Sequence, residues 1–530
     1  MRGTADGPVA RHVRVAVIGA GFSGLGAAVR LRRGGHRDFV VLERSAGVGG
    51  TWRDNGYPGC ACDVPSHLYA YSFAPGAQWW SRTFSGRQDI RLYLETVADT
   101  EGVRPHLRLR QDVRAVRWNA DRLHWEITSS GGAWTADVVV CATGPLSAPS
   151  VPQVPGLDTF PGPVFHSARW DHGAELRDRR VAVIGTGASA VQIVPALAAV
   201  AAGVRLFQRT PPWVLPRLDR RVTDLERRLH QRYPVTAAVR RGLQWGMREL
   251  VGHAFTRLPG ALAGYEALAR AHLRRAVRDP GLRERLTPDY RIGCKRILLS
   301  SDYYPALAQP HVEVVTSALA EVRGSRLIAE DGTGAEADAL VFATGFRVTD
   351  PPVARRIVGT GGRTLAEAWR EGDGMRALRG TTVPGFPNLV MLLGPNTALG
   401  NTSMVLMIES QLSYLLDYLR LLEPRREGEG RAALDPLPSA FRAWNDGLDA
   451  RLGRSVWNTG ACVSWYLDGE GRNTTLWPGS TGRFRRAVRR VDPREYERIT
   501  EAAGPEAGGA EADGAEGAEG AGGAARAAGR

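Results

Sequence analysis

Lys295 and Arg296 form a pair of basic residues that could bind a phosphate and hold a negative charge. Lys295 is the only lysine among the 69 basic residues of the chain, and Arg296 follows it directly. An ammonium group is a compact charge that suits a phosphate, whereas a guanidinium stays protonated and can hold a negative charge without giving up a proton. A general preference for arginine is the competing explanation, and it would make the position of the single lysine accidental.

A first glycine-rich turn offers a site for a pyrophosphate. The segment VRVAVIGAGFSGLGAAVRLRRGG begins as an apolar strand, turns at Gly19, Gly21 and Gly24, and continues as a helix. In this context the backbone can approach a pyrophosphate at the positive end of the helix. Glu43 ends the next predicted strand, about 20 residues further on, where a carboxylate can accept hydrogen bonds from a ribose diol. We therefore predict an FAD site here, and a turn used only for close packing is the alternative.

A second turn occurs in RRVAVIGTGASAVQIVPALAAVAAGVRLFQR. Its candidate cofactor contacts are Gly185, Thr186, Gly187, Ser189 and Ala190. Arg209, which Thr210 follows, stands at the position that corresponds to Glu43, and a guanidinium there can pair bidentately with a 2'-phosphate. We predict an NADPH site at which Lys295 reaches the same phosphate, although many arginines are only solvated surface charges. A chain with both sites would be a flavin enzyme reduced by NADPH.

These motifs divide the chain into two nucleotide-binding cores. At 530 residues it is long enough for two or three domains. We predict an α/β fold with two Rossmann-like dinucleotide-binding domains and an inserted helical subdomain. The predicted boundaries are 1–150 and 349–500 for the FAD-binding domain, 151–215 and 289–348 for the NADP-binding domain, and 216–288 for the helical insertion. Residues 501–530 lack aromatic and branched apolar side chains, which predicts a disordered tail.

Composition and charge narrow the class of protein. Five cysteines are few for this length, and the N-terminal residues do not show a secretory signal pattern, so we expect a reduced, cytoplasmic protein. No apolar run approaches the roughly 18 residues of a membrane span. The formal net charge of +14 suits an anionic partner, which could be nucleic acid, a membrane surface or a phosphorylated cofactor.

Two longer strings carry a family resemblance. FPGPVFHSARWD matches the pattern FxGxxxHxxxW[PD], and GGTWRDNGYPGCACD matches [AG]GxWxxxx[FY]P[GM]xxxD. The fixed positions are Phe160, Gly162, His166, Trp170 and Asp171 in the first string, and Gly49, Gly50, Trp52, Tyr57, Pro58, Gly59 and Asp63 in the second. Both strings resemble the signatures of type I Baeyer-Villiger monooxygenases, and the resemblance runs from about residue 13 to residue 500.

The resemblance implies an activity. In that family NADPH reduces FAD, dioxygen adds to the flavin, and the peroxyflavin inserts one oxygen atom next to a ketone carbonyl to give an ester or lactone. It implies that Arg296 is the catalytic arginine, that Asp63 holds it, that Lys295 binds NADPH and that Trp465 contacts the nicotinamide cofactor. The implied flavin contacts are Glu43, Gly50, Thr51, Trp52, Asp63, Tyr69, Val113 and Met404. It further implies that His166 and Trp170 link domain movement to cofactor handling, although a buried histidine beside an aromatic ring is as often structural.

Electrostatics explains why an arginine would suit this reaction. A guanidinium with a pKa above about 12 stabilises a peroxide or tetrahedral oxyanion without protonating it. A carboxylate partner offsets the desolvation of the guanidinium and fixes its orientation, and Asp63 is the candidate. An ordinary salt bridge between domains is the alternative for this pair.

Three other functions stay open. A flavin-containing monooxygenase that oxygenates nitrogen or sulfur is the nearest, although its comparable string usually ends in Tyr or Phe where this chain has Trp170. Cys60 and Cys62 raise the reading of a thiol reductase, but their C-x-C spacing differs from the usual CxxxxC. The arginine-rich stretch 216–286 could bind nucleic acid or anionic lipid, but aromatic residues are not interleaved there at regular spacing.

Overall fold

Short β-branched runs form the strands of this protein, and alanine- and leucine-rich segments form its helices. The structure is a computed structural model that describes residues 10–76, 79–256, 259–426 and 429–501. The strands are β1 Arg11–Ile18, β2 Phe39–Glu43, β3 Leu107–Leu109, β4 Val113–Asn119, β5 His124–Ser129, β6 Gly132–Cys141, β7 Val164–His166, β8 Arg180–Ile184, β9 Gly203–Phe207, β10 Val214–Leu215, β11 Leu298–Leu299, β12 Val312–Val315, β13 Leu319–Arg323, β14 Arg326–Ala329, β15 Gly334–Glu336, β16 Ala339–Phe342, β17 Ile357–Val358, β18 Leu389–Met391, β19 Ala432–Pro436 and β20 Tyr496–Thr500. The helices are α1 Phe22–Arg33, α2 Thr51–Asp54, α3 Arg87–Thr100, α4 Ala188–Ala198, α5 Asp224–Arg232, α6 Pro234–Thr256, α7 Leu262–Ala276, α8 Pro280–Arg285, α9 Tyr303–Leu307, α10 Leu365–Glu371, α11 Met404–Leu421, α12 Pro438–Leu452, α13 Val456–Thr459 and α14 Thr481–Ala487.

The first sheet has eight strands, in the order β17-β4-β5-β6-β1-β2-β3, with β18 paired to β6. Strand β1 runs parallel to both β2 and β6. Strands β4, β5 and β6 form the antiparallel meander that the alternating sequence predicts. Strands β17 and β18 come from late in the chain and run parallel to β4 and β6, so the C-terminal part of the chain returns to this sheet.

The second sheet has the order β12-β9-β8-β16-β7 and is parallel throughout. Its central strand, β8, is almost completely buried, as is usual for parallel sheets with both faces covered. A small antiparallel sheet, β13-β14-β15, lies in the chain between β12 and β16. The predicted α/β fold with two Rossmann-like sheets is confirmed.

The helical insertion contains α5 to α8 and lies between two short strands. Strands β10 and β11 pair in parallel, with Val214 opposite Leu298, so the chain leaves and re-enters the body of the protein at one place. Two arginines hold helix α6 against the part of the chain that carries the first sheet. Arg241 donates to the carbonyl of His67, and Arg248 donates to the carbonyl of Asn401. The helices therefore fix the position of the residues that follow them, including the basic pair.

Two expectations concern the ends of the chain and membranes. Residues 502–530, which carry nearly all of the predicted disordered tail, lie outside the described residues. Within the described residues, every helix is too short or too polar to span a bilayer.

Candidate active site

A cavity of about 950 Å³ lies where the carboxyl ends of parallel strands from both sheets meet. The first sheet contributes Ile18, Glu43 and Ala142, which end or follow β1, β2 and β6. The second contributes Ile184, Phe207 and Ala343, which end or follow β8, β9 and β16. Ligands of parallel α/β sheets bind at this edge, so the fold indicates that this cavity is the binding site.

The turn between β1 and α1 forms one end of the cavity, where Gly19 and Gly21 line the wall. Gly24 does not line it, and its role is packing: a Cβ atom at this position would lie 1.8 Å from the carbonyl oxygen of Gly19. Helix α1 begins without a side-chain cap, so its first N–H groups point to the cavity end as donors for a phosphate. Glu43 accepts hydrogen bonds from the backbone N–H of Ala20 at 2.7 Å and of Ser45 at 2.8 Å, and these fix the carboxylate for a ribose.

The predicted flavin contacts come together around this turn. Gly50, Thr51, Trp52, Asp63, Tyr69, Val113 and Met404 all line the cavity. The indole Nε1–H of Trp52 donates to the hydroxyl of Tyr69 at 3.2 Å. Gly50 has a φ of +51°, and a Cβ atom there would lie 2.9 Å from Gly21 Cα, so only glycine lets this loop approach the turn. The donor set, the open helix end and the glycine cradle fit FAD.

The turn between β8 and α4 forms the other end of the cavity. Gly185, Thr186, Gly187, Ser189, Arg209 and Thr210 line it, whereas Ala190 is buried in the packing of α4 on the sheet. The hydroxyl of Thr186 donates to the carbonyl of Thr210 at 2.8 Å, which ties the turn to the end of β9. Helix α4 also begins without a side-chain cap. The arrangement repeats that of the first turn, except that Arg209 stands at the position where the first turn has Glu43.

Arg209 and Lys295 bring two positive charges to this end. Arg209 is exposed, and the ammonium of Lys295 lies 4.9 Å from the centre of the Tyr290 ring. Burial, and then the charge of Arg209, lower the pKa of Lys295. Within the described residues, neither cation has a carboxylate within ion-pair distance. Two adjacent, unpaired cations beside the second glycine turn fit the dianionic 2'-phosphate of NADPH.

Arg296 and Asp63 form a bidentate ion pair in the wall between the two ends. Arg296 Nε and Nη2 each donate to a different carboxylate oxygen of Asp63 at 2.8 Å, and Nη1 donates to the carbonyl of Leu399 at 3.4 Å. About a quarter of each side chain stays exposed, 27% and 26%, so the pair faces the cavity instead of being packed away. Burial alone would raise the pKa of Asp63, but the charge of Arg296 lowers it, and the same contact raises the pKa of Arg296. A charged guanidinium is thus held in a fixed orientation.

Two supporting residues could not be found from the sequence. Gln192 of α4 accepts from the hydroxyl of Tyr57 at 3.1 Å and donates to the carbonyl of Ala61 at 2.9 Å, so it joins the second unit to the loop that carries Asp63. Arg248 of α6 donates to the backbone carbonyl of Asp63 at 3.3 Å from outside the cavity lining. Beyond Ser189 in its first turn, Gln192 is the one polar residue of helix α4, and this was its only signal. Nothing distinguishes Arg248 from its many arginine neighbours.

The FxGxxxHxxxW residues lie outside the cavity. Phe160 packs in a core beside the second sheet, and a Cβ atom on Gly162 would lie 2.0 Å from the carbonyl of Asp338. His166 ends β7, accepts from the N–H of Ala168, and meets the ring of Phe346 at a centroid distance of 5.9 Å. Because Phe346 lines the cavity, His166 sits one layer behind it, and Trp170 packs on Phe165 instead.

The two cysteines of the C-x-C sequence are free thiols. Cys60 and Cys62 are not bonded to each other, and burial raises the pKa of both thiols, that of Cys60 to about 11. A thiol with so high a pKa is a poor nucleophile, which argues against a thiol reductase.

Cys294 and Cys462, which are 168 residues apart, form a disulfide that the sequence did not reveal. The expectation that the cysteines are all reduced therefore does not hold in this structure.

Comparisons with known proteins agree with the geometry. A family model for flavin-binding monooxygenase-like proteins matches residues 12–360. A Baeyer-Villiger monooxygenase of Streptomyces coelicolor is 62% identical over 494 residues, which cover 93% of this chain and 94% of that protein. The crystal structure of cyclohexanone monooxygenase from Rhodococcus sp. Phi1 bound to NADP+ aligns with a TM-score of 0.81 at 28% identity, over 92% of this chain and 99% of that one. The structure of OTEMO in complex with FAD and NADP aligns with a TM-score of 0.81 at 26% identity, over 92% and 99% of the two chains.

Two dinucleotide turns facing one cavity, with a fixed guanidinium between them, define a flavin enzyme that also binds a nicotinamide cofactor. The chain belongs to the Baeyer-Villiger monooxygenases of the flavin-binding monooxygenase-like family.

Proposed function

We propose that this protein is an NADPH- and FAD-dependent monooxygenase that inserts one atom of dioxygen next to a ketone carbonyl and releases an ester or lactone. The overall reaction consumes ketone, O2, NADPH and a proton, and yields the ester, NADP+ and water. The observation that carries the proposal is the bidentate Arg296–Asp63 pair, which faces the cavity between the two glycine turns. When bound, FAD supplies the activation of dioxygen and NADPH supplies the hydride.

The roles of the site residues follow from their positions. The first turn, with Glu43, would hold the adenosine and pyrophosphate of FAD, and Trp52, Tyr69 and Met404 would border the remainder of that cofactor. The second turn, with Arg209 and Lys295, would hold NADPH, and Trp465, which lines the same cavity from the loop beyond α13, would contact it. We assign the units that carry these turns as the FAD-binding and NADP-binding domains, with the boundaries predicted from the sequence.

Arg296 stabilises negative charge and does not transfer a proton. Its pKa is raised further by Asp63, so the guanidinium stays protonated while negative charge develops on oxygen in front of it. Two parallel hydrogen bonds to Asp63 prevent the guanidinium from rotating away, and the bond from Nη1 to the carbonyl of Leu399 fixes the third side. Fixed donors of this kind stabilise an oxyanion without having to reorganise during the reaction.

The substrate is a small molecule together with O2, and we propose that its acceptor group is a ketone. The family membership and the Trp170 ending of the motif support this choice over oxygenation of nitrogen or sulfur. We also propose that the protein works in the cytoplasm, where NADPH is available.

Product analysis tests the proposed reaction. The purified yellow protein is given NADPH with cyclic, aryl and steroid-like ketones, with a tertiary amine and with a thioether, and products are identified by mass spectrometry under 18O2. We expect one labelled oxygen atom in an ester or lactone from at least one ketone class. Labelled N-oxide or sulfoxide, with no ester from any ketone, would instead establish the flavin-containing monooxygenase activity.

A further inference from the structure

The disulfide joins two of the segments that carry proposed NADPH contacts outside the glycine turn, those with Lys295 and Trp465. Cys294 directly precedes Lys295, and Cys462 lies in the loop that leads to Trp465. Val463, Ser464 and Trp465 line the same cavity as Lys295 and Arg209. The bond therefore connects the basic pair to the loop that carries Trp465, and both line the same cavity.

The first residues of this loop, 461–463, have few other attachments, whereas the loop is anchored again from Ser464 and the buried Tyr466 onwards. It lies outside any helix or strand between α13 and α14, and the side chains of Val463 and Trp465 are 79% and 43% exposed. Within the described residues, no hydrogen bond involves Ala461, Cys462 or Val463. The sulfur bridge is thus the main restraint on this stretch of chain.

The two cysteines differ in burial. Cys294 is completely buried in a cluster with Ile292, Trp457 and Tyr466, and a Cβ atom on Gly460 would lie 2.6 Å from Cys294 Cβ. Gly460 therefore leaves the space that the bridge occupies. Cys462 is only partly buried, so an external thiol can reach its sulfur first.

We propose that Cys294 and Cys462 form a reversible thiol–disulfide site that controls the affinity of the protein for NADPH. The thiolate of an external dithiol attacks Cys462 Sγ, the sulfur–sulfur bond breaks, and Cys294 leaves as a thiolate that takes up a proton. The second thiol of the dithiol then displaces Cys462 as a thiol. The protein gains two electrons and two protons, and the dithiol becomes a disulfide.

The coupling is physical and depends on the order of the loop. A bridge that holds a loop in its binding conformation lowers the entropy cost of binding, and its reduction restores that cost. The inference rests on the NADPH site proposed above, because the loop matters only if Trp465 and Lys295 contact that cofactor. It does not depend on which substrate is oxygenated.

Thiol mapping and NADP+ binding test the inference together. Protein purified without reductant is alkylated under denaturing conditions and mapped by mass spectrometry, and NADP+ is titrated into the oxidised and the dithiothreitol-reduced holoenzyme. We expect a linked Cys294–Cys462 peptide, and NADP+ binding that is weaker by roughly tenfold after reduction. The double variant Cys294→Ser/Cys462→Ser should bind as weakly as the reduced protein and should not respond to reductant, whereas Cys141→Ser should keep the response.

Hydrogen–deuterium exchange of residues 460–470 in the wild-type protein keeps the test independent of whether the double variant folds, and we expect faster exchange after reduction. Free thiols at both positions, or equal NADP+ affinity in the two redox states, would overturn the inference. Neither readout needs a ketone, so a protein that forms no ester but shows the redox response would refute the proposed reaction and support the thiol–disulfide site.

Discussion

We propose that Arg209 and Lys295 give the second glycine turn a preference for a phosphorylated cofactor. The turn itself serves any dinucleotide, because its backbone donors address the pyrophosphate. In this proposal the two cations distinguish a 2'-phosphate from a 2'-hydroxyl, since each lacks a carboxylate partner within the described residues. Their mutual repulsion is relieved when a dianion binds between them.

Removal of one cation should therefore change the choice of cofactor. We expect Arg209→Ala to raise the KM for NADPH by about 10-fold to 100-fold, the range for loss of a hydrogen bond between charged groups, and to leave the KM for NADH nearly unchanged. The measurement is the steady-state oxidation of each cofactor at several concentrations.

Arg274→Ala provides the matched control, because Arg274 is exposed in the last turn of α7 and lies outside the cavity lining. It removes the same charge from the chain and should leave both KM values as in the wild type. An equal rise for NADPH and NADH in Arg209→Ala would show that this arginine does not contact the phosphate.

The helical insertion meets the loop before α3 through a pair of buried histidines. The rings of His67 and His230 pack edge to face at a centroid distance of 4.9 Å. Burial, followed by the charge of Arg240, lowers the pKa of His67 to about 4, and burial lowers the pKa of His230 as well. This contact therefore requires both rings to be neutral.

The pH dependence of stability follows from that requirement. Between pH 6.5 and pH 4 the unfolded chain binds a proton at His67 that the folded protein does not, so the free energy of unfolding falls as the pH falls through this window. The slope from one such histidine is at most about 1.4 kcal/mol per pH unit. We expect His67→Phe to reduce the slope measured by denaturant unfolding at pH 7, 6, 5 and 4.

His166 offers a matched comparison in another part of the fold, since burial also lowers its pKa to about 4. His166→Phe should reduce the slope by a similar amount, and the double variant by the sum. If His67→Phe and the wild type lose stability in parallel, His67 is protonated in the folded protein and the account of this contact is wrong.

Elements with a local signal were predictable, and contacts between distant segments were not. The strand, glycine turn and helix at residues 11–33 and 180–198 could be recognised because each contains its own folding and binding signals. The loop with Asp63 and the segment with Arg296 lie 233 residues apart, so only the family resemblance connected them before the structure did. Arg248, Gln192 and the disulfide had no such guide, since chain packing alone decides which arginine or cysteine meets which partner.

At the scale of the whole molecule, the cavity depends on contacts between separate segments. Asp63 belongs to the loop after α2, and Arg296 lies between the helical insertion and β11. Gln192 from the second unit and Arg248 from the insertion both hold the Asp63 loop, so three parts of the chain determine where the guanidinium points. The active site is complete only when these parts are assembled.

We propose that this fixed guanidinium stabilises the anion that forms the ester. The test is the yield of ester per NADPH consumed in Arg296→Ala, measured with a ketone that the wild type converts. We expect the variant to retain FAD, as shown by its flavin absorbance, and to lose at least about 100-fold in ester formation, the usual effect of removing an oxyanion donor. An undiminished ester yield from Arg296→Ala would show that this guanidinium does not stabilise the anion.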